Sequence, residues 1–197
     1  GNFIFNNEQK EFVKKIKRKF SYNQINRSLK KLKQLKVLVI GELIIDRYFF
    51  GKVLGKSGKE PHLVMEENYS EDYLGGSAAV ARHLSSFVKK IDLLSPYGGE
   101  KKHNLLIKKH FKNNISFRSF RPYKNFKTII KSRFLDIISN YKLFGSYILP
   151  ARFDLRSEKI VENIIDSRKK NIDIIIVCDY GHNFIGKIIA NKLKKTK

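Results

Sequence analysis

The stretch "VLVIG", residues 37–41, constrains the fold more than any other. It is a continuous apolar run, too short for a helix, closed by glycine, with no polar side chain to turn toward water. Such a run suits a strand covered on both faces, as in a parallel sheet flanked by helices. "IDLLS" (91–95) and "IDIIIVC" (172–178) are runs of the same kind, and "ISFRSF" (115–120) is a further strand. Segments of helical period separate them. From Val80 the apolar positions Leu84, Phe87 and Val88 give one face of a helix opened by Gly75 and Gly76; "EKKHNLLIKKHF" and "SEKIVENIIDSRKK" follow, with a last helix after residue 181. Strands alternating with helices predict a three-layer α/β fold with a mainly parallel sheet. A chain of 197 residues, 42% apolar, suits one domain of ordinary size, or a large piece of one, with a real core.

Two regions break the alternation. "ELIIDRYFFGKVLG" and "HLVMEE", around 48–67, and the pair "KTIIKSRFLD" and "ISNYKLFGSYIL", around 127–148, are two-sided strands. They predict a small second sheet, a β lid, the latter pair forming a hairpin. Residues 1–35 read as an N-terminal helical connector ahead of the domain at 36–197. Phe12, Val13, Ile16 and Phe20 make one stripe; Ser21 and Gln24 match a capping box that opens a second helix, with Tyr22, Ile25, Leu29 and Leu32 on its inner face.

The net charge of +23 invites a nucleic-acid partner. Lysines outnumber arginines 31 to 10, however, and the planar arginine fork is what base and phosphate readers favour. With 24 isoleucines and 15 asparagines beside them, the lysines reflect AT-rich codons, so nucleic acid is the lesser alternative. The single Cys178 excludes a disulfide framework and suits a reducing cytosol, so a cytoplasmic location is expected. No run approaches the roughly 18 apolar residues of a membrane span, no signal peptide is visible, and no membrane partner is expected. A chain that opens on Gly1 and stops in "KLKKTK" reads as a fragment at both ends.

There is no Gly-x-Gly-x-x-Gly and no Walker sequence, so neither a Rossmann nor a P-loop site is supported. In open α/β sheets ligands gather beyond the carboxyl ends of the strands. Asp46, the pair Gly75-Gly76 and Asp179 fall there. Ionised carboxylates at strand ends suit a hydroxyl-rich ligand, and a glycine turn opening a helix offers free N–H groups. Each taken singly also fits a turn cap or a tight packing contact. The five histidines have no metal-ligand spacing; most read as surface residues, and only His182 is placed near the site; Cys178 reads as a core residue.

These segments resemble the ribokinase-like, PfkB-type carbohydrate kinases, most closely their heptose-phosphate kinases. "VLVIGELIIDRYFFG" resembles the family's opening strand, "LGGSAAVARHL" its substrate motif, "KTIIKSRFL" with "SNYKL" its lid strands, and "IIIVCDYG" its Ser-Asp-Tyr-Gly segment. The resemblance runs in order from about Lys36 to the end. It implies phosphoryl transfer from ATP with Mg2+ to a sugar or sugar phosphate. By the same resemblance Asp46, Gly75, Gly76, Asp179 and Tyr180 hold substrate, and Lys131, Arg133 and Asn140, with Thr128, belong to the lid. It further implies a homodimer through the lid and fusion to a nucleotidyltransferase domain. The family's phosphate-cradling glycine segment and catalytic base have no counterpart before Lys197, so no catalytic residue and no metal ligand is assigned. The chain is expected to be the substrate-binding half, inactive alone. Glu42 in place of aspartate, Ala79 in place of asparagine, Gly55 in place of arginine and His182 in place of lysine depart from the pattern and leave the sugar open. A non-catalytic sugar-binding or assembly protein derived from a kinase is the main alternative.

Overall fold

The computed structural model describes residues 5–151 and 153–195. Helices α1 (Asn7–Lys19) and α2 (Tyr22–Leu32) precede β1 (Lys36–Gly41), β2 (Leu43–Lys56), β3 (Leu63–Gly75), α3 (Gly76–Leu84) and β4 (Lys90–Pro96). Then come α4 (Lys101–His110), β5 (Ile115–Phe120), β6 (Ile129–Asp136), β7 (Lys142–Ile148), α5 (Leu155–Arg168), β8 (Ile174–Cys178) and α6 (Lys187–Lys194).

The strands form two four-stranded sheets, ordered β5-β4-β1-β8 and β3-β2-β6-β7. The first is parallel throughout. Its central strand β1 explains the "VLVIG" run: Val37 and Val39 pack with Ala78, Ala81, Ile91, Leu93 and Ile107, while Leu38 and Ile40 pack with Val161, Ile165, Phe184 and Ile189. Alternate side chains therefore enter opposite layers, with α3 and α4 below one face and α5 and α6 below the other. That is the expected three-layer α/β architecture. The second sheet also forms as expected. β2 pairs antiparallel with β3 and parallel with β6, and β6 with β7 makes the hairpin.

Four expectations need correction. The second strand of the lid is not confined to "HLVMEE" but continues to Gly75, because β2 offers it pairing partners as far as Ile44. α3 ends at Leu84, and Phe87 is 51% exposed rather than on a helix face. There Ser85 Oγ turns back to the Arg82 carbonyl, and the Asn114 amide donates to the carbonyls of Ser85 and Val88, fixing a turn instead of another helical turn. His103 is buried, its Nδ1 3.4 Å from Glu100 Oε2, and is no surface residue.

The fourth correction concerns α1 and α2. Both form, and both carry the capping box, from Asn6 with Gln9 and from Ser21 with Gln24. Their apolar stripes are nevertheless not an inner face. Neither helix buries a residue; Phe12 is 63% and Tyr22 77% exposed. Periodicity groups side chains on one face but does not supply the surface that covers it. The core begins at Leu35, which packs against the first apolar layer and accepts hydrogen bonds from the N–H groups of Lys89 and Lys90.

Candidate functional site

β2 is the element that builds the site. It lies in the second sheet throughout; its first residues Leu43, Ile44 and Ile45 are buried against the α/β layers, and from Asp46 onward the strand emerges from the core. Register sets Asp46 opposite Tyr73 on β3 and Lys131 on β6. One pleat further on, Arg133 reaches back so that its Nη1 donates to Asp46 Oδ1 at 2.6 Å. This bond holds the guanidinium pKa above its ordinary value, against the opposing effect of burial. The carboxylate is thus fixed in orientation by a charge-assisted bond, one oxygen engaged and the other turned toward Gly75.

The glycine pair answers to this geometry. A Cβ on Gly75 would overlap Asp46 Oδ2, so a larger residue there would push the carboxylate out of this orientation. Gly76 has φ +56°, and a Cβ there would overlap the Glu42 carbonyl. Ser77 completes the junction: its N–H donates to the Glu42 carbonyl at 2.9 Å and its hydroxyl to the Gly41 carbonyl at 3.0 Å. The start of α3 is clasped to the β1–β2 link, directly beneath Asp46.

Beside this junction, at the ends of β1 and β8, sits a cluster the sequence reading only touched. Glu42 is fully buried and neither carboxylate oxygen makes a hydrogen bond of acceptable geometry, although the N–H groups of Glu42 and Tyr180 lie close. Burial therefore raises its pKa, and Asp179 nearby adds to the rise while Lys131 opposes it. His182 Nδ1 is 3.6 Å from Glu42 Oε1; its pKa is lowered by burial and by Lys131. Tyr180 feels Glu42 and Asp46, and its phenol is raised mainly by burial. Asp179 caps its own turn by accepting from the Gly181 N–H at 2.9 Å. The side chains of Asp46, Lys131, Arg133, Asp179, Tyr180 and His182 are therefore gathered at one end of the sheet.

Asn140 is set apart from them. It takes the left-handed position (φ 57°) in the β6–β7 turn, where its N–H donates to the Asp136 carbonyl. Thr128 is fully buried at the root of β6, its hydroxyl and N–H both donating to the Glu100 carboxylate. Burial would raise that carboxyl, but these bonds hold it below its ordinary range. Both residues shape the lid and do not line the site.

Aromatic side chains on the Asp46 face of the second sheet complete the site. Asp46, Tyr48, Phe50, Tyr73 and Leu135 line an open, shallow depression of about 360 Å³. Tyr48 and Tyr73 meet edge to face at 5.7 Å, and the Arg133 guanidinium lies 5.3 Å from the Tyr48 ring centre. A fixed carboxylate, a guanidinium and an apolar ring wall suit a ligand with hydroxyl groups on one edge and C–H groups on a face. On the other face of β2, Arg47 grips Asp72 by two bonds, at 2.6 and 3.0 Å, and Lys102 of α4 adds a third at 3.1 Å. The second sheet is thereby tied to the α/β layers. Among the described residues no group of three or more His, Cys, Asp or Glu side chains is placed to hold a metal ion.

Known proteins resemble the chain in sequence and in fold. It is 26% identical over 153 residues to the "Bifunctional protein HldE" of Psychromonas ingrahamii, covering 77% of this chain and 31% of that one. It is 30% identical over 152 residues to the protein of the same name in Aliarcobacter butzleri, covering 76% and 31%. The chain thus spans about a third of the length of these relatives, 31% in both. No protein-family model matches it. In fold it matches phosphofructokinase-2 from Escherichia coli in complex with fructose-6-phosphate, with TM-score 0.54 and 11% identity, over 83% of this chain and 53% of that one. Arabidopsis thaliana ribokinase complexed with ribose and ATP gives TM-score 0.50 and 16% identity, over 83% and 51%. The chain has HldE homologues and the ribokinase-like fold of carbohydrate kinases, as its motifs implied.

Proposed function

We propose that this chain supplies the sugar-holding part of a carbohydrate kinase that moves the γ-phosphoryl group of ATP, with Mg2+, to a hydroxyl of a sugar or sugar phosphate. The observation that carries the reading is the Asp46–Arg133 pair, seated against Gly75 where β2 emerges from the buried core and faced by the aromatic side chains of the lid.

Phosphoryl transfer asks the protein chiefly for positioning and charge stabilisation. Asp46 accepts hydrogen bonds from neighbouring sugar hydroxyls, and Arg133 keeps the carboxylate from turning away. Tyr48, Phe50 and Tyr73 cover the ring and exclude water. Asp179 and Tyr180 border the sugar from the end of β8, and Lys131 places positive charge toward a phosphate group. The phosphate-cradling segment and the base lie outside this chain in this reading, in a longer protein of which it is a part. The word "bifunctional" in the relatives' name agrees with a second, nucleotidyltransferase activity on that longer protein. A homodimer formed through the lid and a cytoplasmic location complete the reading.

The test is made on the longer protein, with a panel of sugars and sugar phosphates, by calorimetry and ADP release. Asp46→Ala is expected to weaken sugar binding by about 1.5–3 kcal/mol, the range for hydrogen bonds to a charged group. Circular dichroism should show an unchanged fold. Equal affinity of mutant and wild type removes Asp46 from the site and sinks the reading. Magnesium-dependent turnover by residues 1–197 alone refutes the half-kinase assignment.

A further inference from the structure

We infer that α1 and α2 form a peripheral docking element for an anionic lipid surface. The starting point is the pair of apolar stripes that the fold leaves uncovered. On α1 and its cap, Phe12, Ile16 and Phe20 recur every fourth residue; on α2, Tyr22, Ile25, Leu29 and Leu32 follow the same period. All seven are exposed, and neither helix buries any residue against the rest of the chain. Seven large apolar side chains on two short helices need an occupant for that face.

Charge says what kind. Residues 5–35 hold Lys10, Lys14, Lys15, Lys17, Arg18, Lys19, Arg27, Lys30, Lys31 and Lys33 against Glu8 and Glu11. A large apolar moment, a strongly basic polar face and low overall hydrophobicity describe a helix that lies in the plane of a membrane interface. Nucleic acid would satisfy the lysines but leave the apolar stripes in water. A lipid surface satisfies both: the rings and aliphatic chains enter the acyl boundary while the lysine stems extend to the headgroup phosphates. Lysine predominance fits this as well, since a headgroup layer takes point charges and needs no bidentate fork. The helices rest on the surface and do not cross it. α1, with 13 residues, is about 20 Å long against a hydrocarbon core of roughly 30 Å.

The inference is independent of the kinase reading, and its test uses no substrate. The full chain is mixed with vesicles of phosphatidylcholine alone and with vesicles that also contain phosphatidylglycerol, and bound protein is measured by sedimentation at several salt concentrations. Strong, salt-sensitive binding to the anionic vesicles alone is expected. Each basic residue held at such a surface strengthens binding by roughly fivefold, so K14Q/K17Q/R18Q should weaken it on the order of a hundredfold. F12S/I16S/F20S, which keeps every charge, should weaken it by roughly a hundredfold or more, and F12L/F20L, which keeps the face apolar, should bind nearly as wild type. The chain contains no tryptophan, so Phe12→Trp gives a single reporter whose emission must shift to the blue on vesicles and be quenched by brominated lipid chains. Because these side chains are exposed, the variants should keep the wild-type circular dichroism. Absence of binding to anionic vesicles overturns the inference. So does equal binding to neutral vesicles, full binding by F12S/I16S/F20S, or an unshifted tryptophan. Duplex DNA bound as tightly by F12S/I16S/F20S as by wild type, with no vesicle binding, would assign the basic face to nucleic acid instead.

Discussion

The two sheets have the same number of strands and opposite constructions. In the parallel sheet the central strand is sealed on both faces, with apolar side chains alternately entering two helical layers. In the β3-β2-β6-β7 sheet only the root is covered, where Leu43, Ile45, Leu74 and Ile130 pack with α3 and α4, and the outer part is largely exposed. Its order comes from cross-strand contacts: Phe49, Phe134 and Phe144 stack at 4.5 and 4.2 Å on one face, and Tyr48, Phe50, Tyr69 and Tyr73 meet on the other. Burial makes a platform; pairing makes a cover. The site lies on β2 where its covered root gives way to the open arm, which places a fixed carboxylate on the firm part and the neighbouring rings on the compliant part.

If this contrast holds, equal truncations should have unequal costs. Ile40→Ala, in the fully buried platform, should destabilise the protein by about 2–5 kcal/mol in urea unfolding. Asp72→Asn, at the tie between sheet and platform, should cost about 1–3 kcal/mol. It should also remove an acid-sensitive transition. Burial would raise the Asp72 carboxyl, but the bonds from Arg47 and Lys102 outweigh it and hold the pKa below its ordinary value. A depressed carboxyl stabilises the fold above the unfolded pKa and loses that contribution as pH falls through the folded value. Urea midpoints measured down an acid series should therefore fall in wild type and stay flatter in Asp72→Asn. Phe144→Ala, 54% exposed at the end of the ring stack, should cost only about 0.5–1.5 kcal/mol. Its amide exchange should quicken in β7 while β1 and β4 stay protected to the global limit. A Phe144→Ala cost equal to that of Ile40→Ala would break the contrast.

Glu42→Gln probes the smallest effect. The raised carboxyl binds its proton more tightly folded than unfolded, so wild type loses stability as pH rises through the folded value. The glutamine variant should lack that decline, and the difference between the two melting curves should grow toward alkaline pH.

The sequence carried much of this because apolar patterning is local. "VLVIG" read as a doubly covered strand, and "KTIIKSRFLD" with "ISNYKLFGSYIL" read as a hairpin across a polar turn. Asp46 and Asp179 were legible as acids just past apolar strands. The Asp46–Arg133 bond was not, since 87 residues separate the partners and only the β2–β6 register brings them together. The facing of Glu42 by His182 needed the β1–β8 pairing in the same way. The long course of β3 stayed hidden because "EENYSEDY" is polar throughout; backbone pairing with β2, not burial, keeps it extended.

β2 also has a mechanical meaning. It is one unbroken 14-residue strand whose first three residues are clamped in the core and whose last ones are free of it. Treated as a lever some 36 Å long from Asp46 outward at about 3.3 Å per residue, it turns a tilt of roughly 5° at the root into about 3 Å at the tip. The bulges between Phe50 and Gly51 and between Val53 and Gly55 give the outer arm added compliance. Asp46 lies next to the fulcrum, where the same tilt moves an atom by well under 1 Å. The lid can swing through the width of a water molecule while the carboxylate that meets the ligand scarcely shifts.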